Sequence, residues 1–231
     1  MFFTEAGIIL KLQVRQINDL DTLNSARALL YHYYVEVLKW NIEVENPSGI
    51  VVKNSSKGLM LVDNYDECSD WFGLFNEKEL IGCVRLHWYN KVPLLEIEQY
   101  AAAKENLDFL LSQKKELKIV EFNREAIMPK FSKNKEVLMN IMNTVFLLCQ
   151  RKGASILTTT NIAEWQKLYE WILFEKLANI EFKYSPNEPK PTTVYFAQPE
   201  QIKYMLLRMQ QMNLKPHVFA EASILEASIK V

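Results

Sequence analysis

The apolar positions change period several times along the chain, and each change marks an element. Ile8, Leu10, Leu12 and Val14 alternate with Ile9, Lys11, Gln13 and Arg15, which predicts a half-buried first strand. Leu23, Ala26, Leu30, Tyr34, Val37 and Leu38 then recur at three and four, predicting a helix capped by Asp21 or Thr22 and ending near Trp40. Residues 41–64 carry Pro47, Gly49, Asn54, Ser55, Ser56 and Gly58 and read as a long turn-rich connection placed to cover a site. Trp71–Phe75 and Leu80–Leu86 flank Asn76-Glu77-Lys78-Glu79, a predicted β-hairpin closed by Pro93. Residues 94–113 are helix-permissive, and Lys118–Met128 reads as a central strand.

Leu138, Ile141, Met142, Val145, Leu148 and Cys149 predict a helix over 135–152, with Gly153 suited to its C′ position. A strand over 154–159 follows, then a helix whose start, Asn161 with Glu164 three residues on, is capping-box-like. Strands over 180–184 and 192–197 and a helix over 199–212 complete the order β-α-β-β-(α)-β-α-β-α-β-β-α. That order argues for an α/β (α+β) fold with one mixed sheet flanked by helices. The expected division is a single domain over 1–197 and a C-terminal helical appendage over 198–231.

One strand breaks its own pattern. Glu121, Asn123 and Arg124 sit inside the apolar run of Ile119, Val120, Phe122, Ala126, Ile127 and Met128. Burying a carboxylate or guanidinium costs several kcal/mol unless it is paired, so such residues either pair internally or line a cleft.

Composition narrows the classes. The 231 residues are 49% hydrophobic and 12% aromatic, ample for a packed core, and the formal charge of −1 gives no bulk attraction to nucleic acid or an anionic membrane. Cys68, Cys83 and Cys149 are odd in number and far apart, which supports neither a disulfide framework nor a zinc site and fits a reducing cytoplasm. The opening MFFTEAGIIL lacks a basic n-region, and no signal peptide or spanning segment is expected.

Three local matches carry a family resemblance. Asp63-Asn64-Tyr65-Asp66 looks like an acidic D-x-x-D, Gly82-Cys83-Val84-Arg85-Leu86 like a G-x-x-R-L strand, and Glu121-Phe122-Asn123-Arg124 like an E-x-S-R strand. In that order and on those elements, they resemble the GNAT acyltransferase superfamily. Within it they are most similar to the acyl-homoserine-lactone synthases and the long-chain N-acyl amino acid synthases. The resemblance implies a GNAT-like sheet splayed at its centre. Leu61, Asn123 and Leu30 depart from the family pattern, and Arg27 lies too early to match its first-helix arginine. The departures argue against lactone synthesis and leave acyl transfer.

N-acyl transfer needs a thioester in reach of an amine, an amine kept unprotonated and donors facing the oxyanion. Glu121 is the first choice for the base, with a structural pair to Arg85 or Arg124 as its alternative. Arg85 and Arg124 organise the cleft in the family reading, and Arg85 as a solvated edge arginine is the alternative. Asp63 and Asp66 hold the amine's charge, pair with those arginines or are simply solvated, and the resemblance places Asn123 with them at the substrate. Leu168-Tyr169 resembles the element in which GNAT enzymes use a tyrosine to protonate the leaving thiolate, against a plain core role. Trp165, Trp171 and Phe174 read as core or as an acyl tunnel. His32, His87 and His217 have no nucleophile or metal partner at useful spacing.

Acetyl-CoA-using relatives place a glycine-rich turn before the next helix to cradle pyrophosphate. Here that place reads Pro129-Lys130-Phe131-Ser132-Lys133-Asn134-Lys135, without glycine. Lys130, Ser132, Lys133, Asn134 and Lys135 suit one phosphate of a phosphopantetheine arm and an acidic carrier surface, or form a solvated basic loop. The expectation is a cytoplasmic N-acyltransferase that moves a medium or long acyl chain from acyl carrier protein, or acyl-CoA, to the amine of an amino acid or similar small molecule; the alternatives are an acyl-CoA-dependent N-acetyltransferase and a non-catalytic GNAT-like ligand-binding domain. No permanently bound cofactor or metal is expected.

Overall fold

The computed structural model describes residues 11–89, 95–100, 107, 118–185 and 187–211. Seven of its strands form one sheet: β1 (Leu12–Gln16), β4 (Asp70–Asn76), β5 (Glu79–Trp88), β6 (Lys118–Ile127), β7 (Ala154–Thr160), β9 (Thr192–Ala197) and β8 (Glu175–Phe182), in that spatial order. Every neighbouring pair is antiparallel except β6 and β7, which run parallel at the centre. Two further strands, β2 (Val51–Ser55) and β3 (Gly58–Val62), make a separate hairpin inside the stretch expected to be a loop. Gly58 takes φ +99° in its tight turn, so turn residues that suggested a long connection instead join two short strands.

Among the described residues, four α-helices lie on the two faces of the sheet. Helix α1 (Leu20–Tyr31) packs Ala26, Leu29 and Leu30 against Leu61, Trp71, Cys83 and Ala126. Its cap is Asp19, whose carboxylate accepts from Thr22 N at 2.7 Å, two residues before the expected cap. Beyond Tyr31 the coil widens to a π-helical turn over His32–Val37, with Leu38 N donating to Tyr33 O at 3.0 Å. On the opposite face, α2 (Lys135–Lys152) buries Val137, Ile141, Met142, Val145 and Phe146 in the main core and ends at Gly153, whose φ of +60° closes it. Helix α3 (Ala163–Trp171) starts from Ile162 without a side-chain cap, so the Asn161–Glu164 capping box does not form.

Helix α4 (Pro199–Gln211) was expected to open an appendage. Its Ile202, Met205, Leu206 and Met209 are buried in the same cluster as α2 and the sheet, so the 197/198 boundary falls inside one core. The expected helix over 94–113 is described only at 95–100, where Glu96–Gln99 form a 3-10 turn, and at Leu107; its remainder, residues 8–10 of the expected first strand and the tail beyond 211 lie outside the described residues.

The feature that places the site is the parting of the two parallel strands. Pairing between β6 and β7 runs from Lys118 with Ala154 to Phe122 with Thr158 and stops there, although both strands continue. The centre of the sheet is splayed from that point.

Candidate active site

Beyond Phe122, β6 is bulged. Arg85 pairs with Asn123 and Cys83 with Ala126, so one residue of β5, Val84, stands opposite two of β6, Arg124 and Glu125. Arg124 takes up the extra length at φ +55°, a left-handed conformation that a long side chain adopts only when its surroundings impose it. Asn123, Arg124 and Glu125 consequently all line one cavity, which three consecutive residues of a regular strand cannot do.

On the α1 side the bulge meets a closed set of charges. Arg85 is fully buried, and its guanidinium donates to Asp63, to Asp66 Oδ1 at 3.2 Å, to Glu96 Oε2 at 2.8 Å and to Asn123 Oδ1 at 2.9 Å. Arg124 donates to both Asp63, at 2.6 Å, and Glu96. Arg27 on α1 reaches Asp66 Oδ2 at 2.9 Å, and Asn123 Nδ2 reaches Glu96 Oε2 at 2.9 Å. Burial works against charge on Asp63, but the two arginines hold its carboxyl well below the usual range. Burial and then the Asp63 charge push Asp66 the other way, up to about 6. These acids face arginines, so their geometry serves to close the network rather than to hold a substrate amine.

Glu121 sits beside this set but off the cavity. It is fully buried, accepts from Glu96 N at 2.7 Å, and leaves Oε1 without a partner among the described residues. Burial, and then the charge of Glu96, push its pKa up to about 8. A carboxyl whose burial favours the protonated form and which does not line the cavity is badly placed to take a proton from a substrate.

The cavity occupies about 330 Å³ where β6 and β7 part. Its floor is Asn123–Glu125 and Thr159–Asn161; its walls are the π-turn tyrosines Tyr33 and Tyr34, Trp40, Trp165, Tyr169 and Tyr184. Tyr169 donates its hydroxyl to Glu125 Oε1 at 3.1 Å, and Thr158 Oγ1 lies 3.4 Å from the same hydroxyl. Burial pushes the Glu125 carboxyl up to about 7, and burial followed by the Glu125 charge raises the Tyr169 phenol well above its ordinary value. A half-buried carboxylate poised near neutrality and bonded to a phenol is an acid–base couple facing open space.

The sequence reading set out several other residues. Arg85, Arg124, Asp63, Asp66 and Asn123 are brought together, with Arg124 and Asn123 also on the cavity wall. Arg27, set aside there, joins them, and so does Glu96, which had no motif to announce it. Glu125 was missed because regular alternation gives no sign of the bulge. Lys130, Ser132, Lys133 and Asn134 do not line the cavity: Lys130 pairs with Glu79 at 2.8 Å, Ser132 donates to Pro129 O, and Asn134 caps α2 by accepting from Glu136 N at 2.9 Å. Lys135 is the first residue of α2. Trp165 faces the cavity, Phe174 is core and Trp171 is 37% exposed.

A parallel strand pair that parts over a cavity is the arrangement of a GNAT-like fold. Residues 25–194 match the family described as N-acyl amino acid synthase FeeM, and the chain belongs to that family of N-acyltransferases. No curated protein sequence matches it. Among solved structures, FeeM, an N-acyl amino acid synthase from uncultured soil microbes, superposes with a TM-score of 0.64 at 14% identity, over 88% of this chain and 99% of that one. BjaI, a CoA-dependent acyl-homoserine lactone synthase, gives 0.58 at 12% identity over 94% and 99%. The lactone synthase LasI gives 0.52 at 15% identity over 87% and 95%. These three share the fold.

Proposed function

We propose that the enzyme transfers a medium or long acyl chain from the phosphopantetheine thiol of an acyl carrier protein to the α-amine of an amino acid, with Glu125 as base and Tyr169 as acid. The observation that carries this reading is the Tyr169–Glu125 hydrogen bond at the point where β6 and β7 part. The amine reaches the site with one proton already lost to solvent. Its nitrogen attacks the thioester carbonyl while Glu125 takes a second proton from it. Collapse of the tetrahedral intermediate forms the amide and breaks the C–S bond, and Tyr169 protonates the departing sulfur. The proton held by Glu125 then returns to the phenol oxygen across their hydrogen bond, so amine and thioester become amide and thiol with the enzyme restored. The couple is self-tuning: once Glu125 is neutral, its charge no longer raises the Tyr169 pKa, and the phenol becomes a better acid when the thiolate needs it.

Support for the donor is geometric. Past Phe122 that edge of β6 has no strand beside it, which suits an extended pantetheine arm laid down like an added strand. Lys130 and Lys133 are exposed at the entry to α2, where an acidic carrier surface would meet them. Three free thiols, Cys68, Cys83 and Cys149, fit a reducing cytoplasm, and among the described residues no helix is long and apolar enough to cross a membrane. The test is mass spectrometry of lipid extracts from cells overproducing the wild type or Glu125→Gln. N-acyl amino acids are expected with the first and not the second; equal amounts from both would overturn the assigned chemistry.

A further inference from the structure

The cavity mouth is built from two loops that the sequence keeps far apart. Trp40 Nε1 donates to Glu188 Oε1 at 3.1 Å, Ser185 Oγ and Asn187 Nδ2 donate to Glu43 Oε1 at 2.6 and 3.0 Å, and Tyr184 N donates to Glu188 Oε2 at 3.1 Å. The segment after α1 and the segment between β8 and β9 are thereby tied into one rim.

Each loop contributes a lysine to the cavity, Lys39 and Lys190. Lys39 stands at φ +57° just past the π turn, and Lys190 lies between Pro189 and Pro191, whose rings fix the backbone on either side of it. Both lysines are exposed, and among the described residues neither has an ion-pair partner. The rim's own carboxylates, Glu43 and Glu188, accept from hydroxyl, amide, indole and backbone donors, and neither forms an ion pair with Lys39 or Lys190. Arg124, deeper in the cavity, is spent on Asp63 and Glu96. One cavity therefore holds a carboxylate, Glu125, and two cations without ion-pair partners among the described residues, which matches a molecule carrying both an amine and an anionic oxygen group.

We propose that Lys39 and Lys190 bind the carboxylate of the acceptor and so select α-amino acids over simple amines. The inference rests on the acyl-transfer reading for its amine but assigns residues and a selectivity which that reading lacks. A phosphate of the donor has the same oxygen chemistry. The acceptor is favoured because the lysines share the cavity with Glu125, whereas the α2 entry residues lie outside it.

Equilibrium titration calorimetry tests the assignment without turnover. Wild type, Lys39→Met, Lys190→Met and the double variant are titrated with L-phenylalanine against phenethylamine, and with L-leucine against isoamylamine. The wild type is expected to prefer each acid over its amine, and each single variant to lose about tenfold of that preference, as for one charge-assisted contact at an exposed site. Equal wild-type affinity for acid and amine, or equal loss for both in the variants, overturns the assignment. In parallel kinetics, a KM change that follows acyl-CoA but not phosphate-free acyl-pantetheine would give the lysines to the donor and also overturn it. Acid preference lost in the variants, in an enzyme that forms no amide, would sustain the lysine assignment and sink the acyl-transfer chemistry.

Discussion

Arg124 and Glu125 are chain neighbours on one bulge, yet the protein uses them in opposite ways. Arg124 is enclosed among Asp63 and Glu96, with Arg85 and Arg27 repeating the arrangement around Asp66. Glu125 is in no ion pair among the described residues; its recorded side-chain partners are hydroxyls, and it looks into open space. Charge answered on every side holds the strands in place. Charge left half answered is free to exchange a proton. On the proposed chemistry the same strand supplies both scaffold and base, and the difference lies in the partners rather than in the residue type.

The largest effect should come from breaking the enclosed side. Arg85→Met leaves Asp63, Asp66 and Glu96 buried with their repulsion uncovered, and is expected to lower stability by about 3–5 kcal/mol in urea titrations. A variant that melts like the wild type would mean the network is decorative. Glu125→Gln should do the reverse. It keeps size and most hydrogen bonds, so the denaturation midpoint stays while kcat falls ~10²-fold or more. If stability falls with rate, Glu125 belongs with its neighbour on the structural side.

Tyr169→Phe comes next, with a loss in kcat of about tenfold or more that shrinks for donors whose thiol is a better leaving group. A loss indifferent to the leaving group would remove Tyr169 as the acid. The pH profile sharpens the contrast further: Glu125 must be ionised to accept a proton, so kcat/KM, referred to the unprotonated fraction of the amine, should rise through about pH 7 and flatten above it. Glu121 should affect stability alone. Its folded pKa, about 8, exceeds the ordinary glutamate value, so the folded state binds the proton more tightly. Its contribution is therefore complete below about pH 4.3 and falls away as pH climbs through 8. Urea titrations at several pH values should show that decline weakened in Glu121→Gln, with turnover kept; parallel curves would refute it. The smallest effect is expected from reversing charge at Lys130 and Lys133, which should weaken carrier-protein use a few-fold and blunt its salt dependence without touching the fold.

The sequence made most of the sheet legible because its apolar residues alternate or recur with a period wherever an element is half buried. The helix over Lys135–Lys152 and the strands Ala154–Thr160 and Thr192–Ala197 lie within a residue of their expected bounds for that reason. The short strands at 51–62 were hidden because Val51, Val52 and Leu59 stay exposed and give no one-sided pattern. At the site, Glu121, Asn123 and Arg124 were conspicuous as charge in a greasy strand. Glu125 was not, because its orientation depends on one residue's left-handed backbone. Glu96 acquires meaning from partners 11 and 28 positions away in the chain and Arg27 from one 39 away, separations that no periodicity reports.

A sheet usually exposes its unpaired hydrogen-bonding groups at its rim, where any stray strand can join them. Here the break lies indoors, with β6 on one side and β7 on the other. An open edge enclosed between two strands of its own sheet is sheltered from the edge-to-edge pairing that a rim invites.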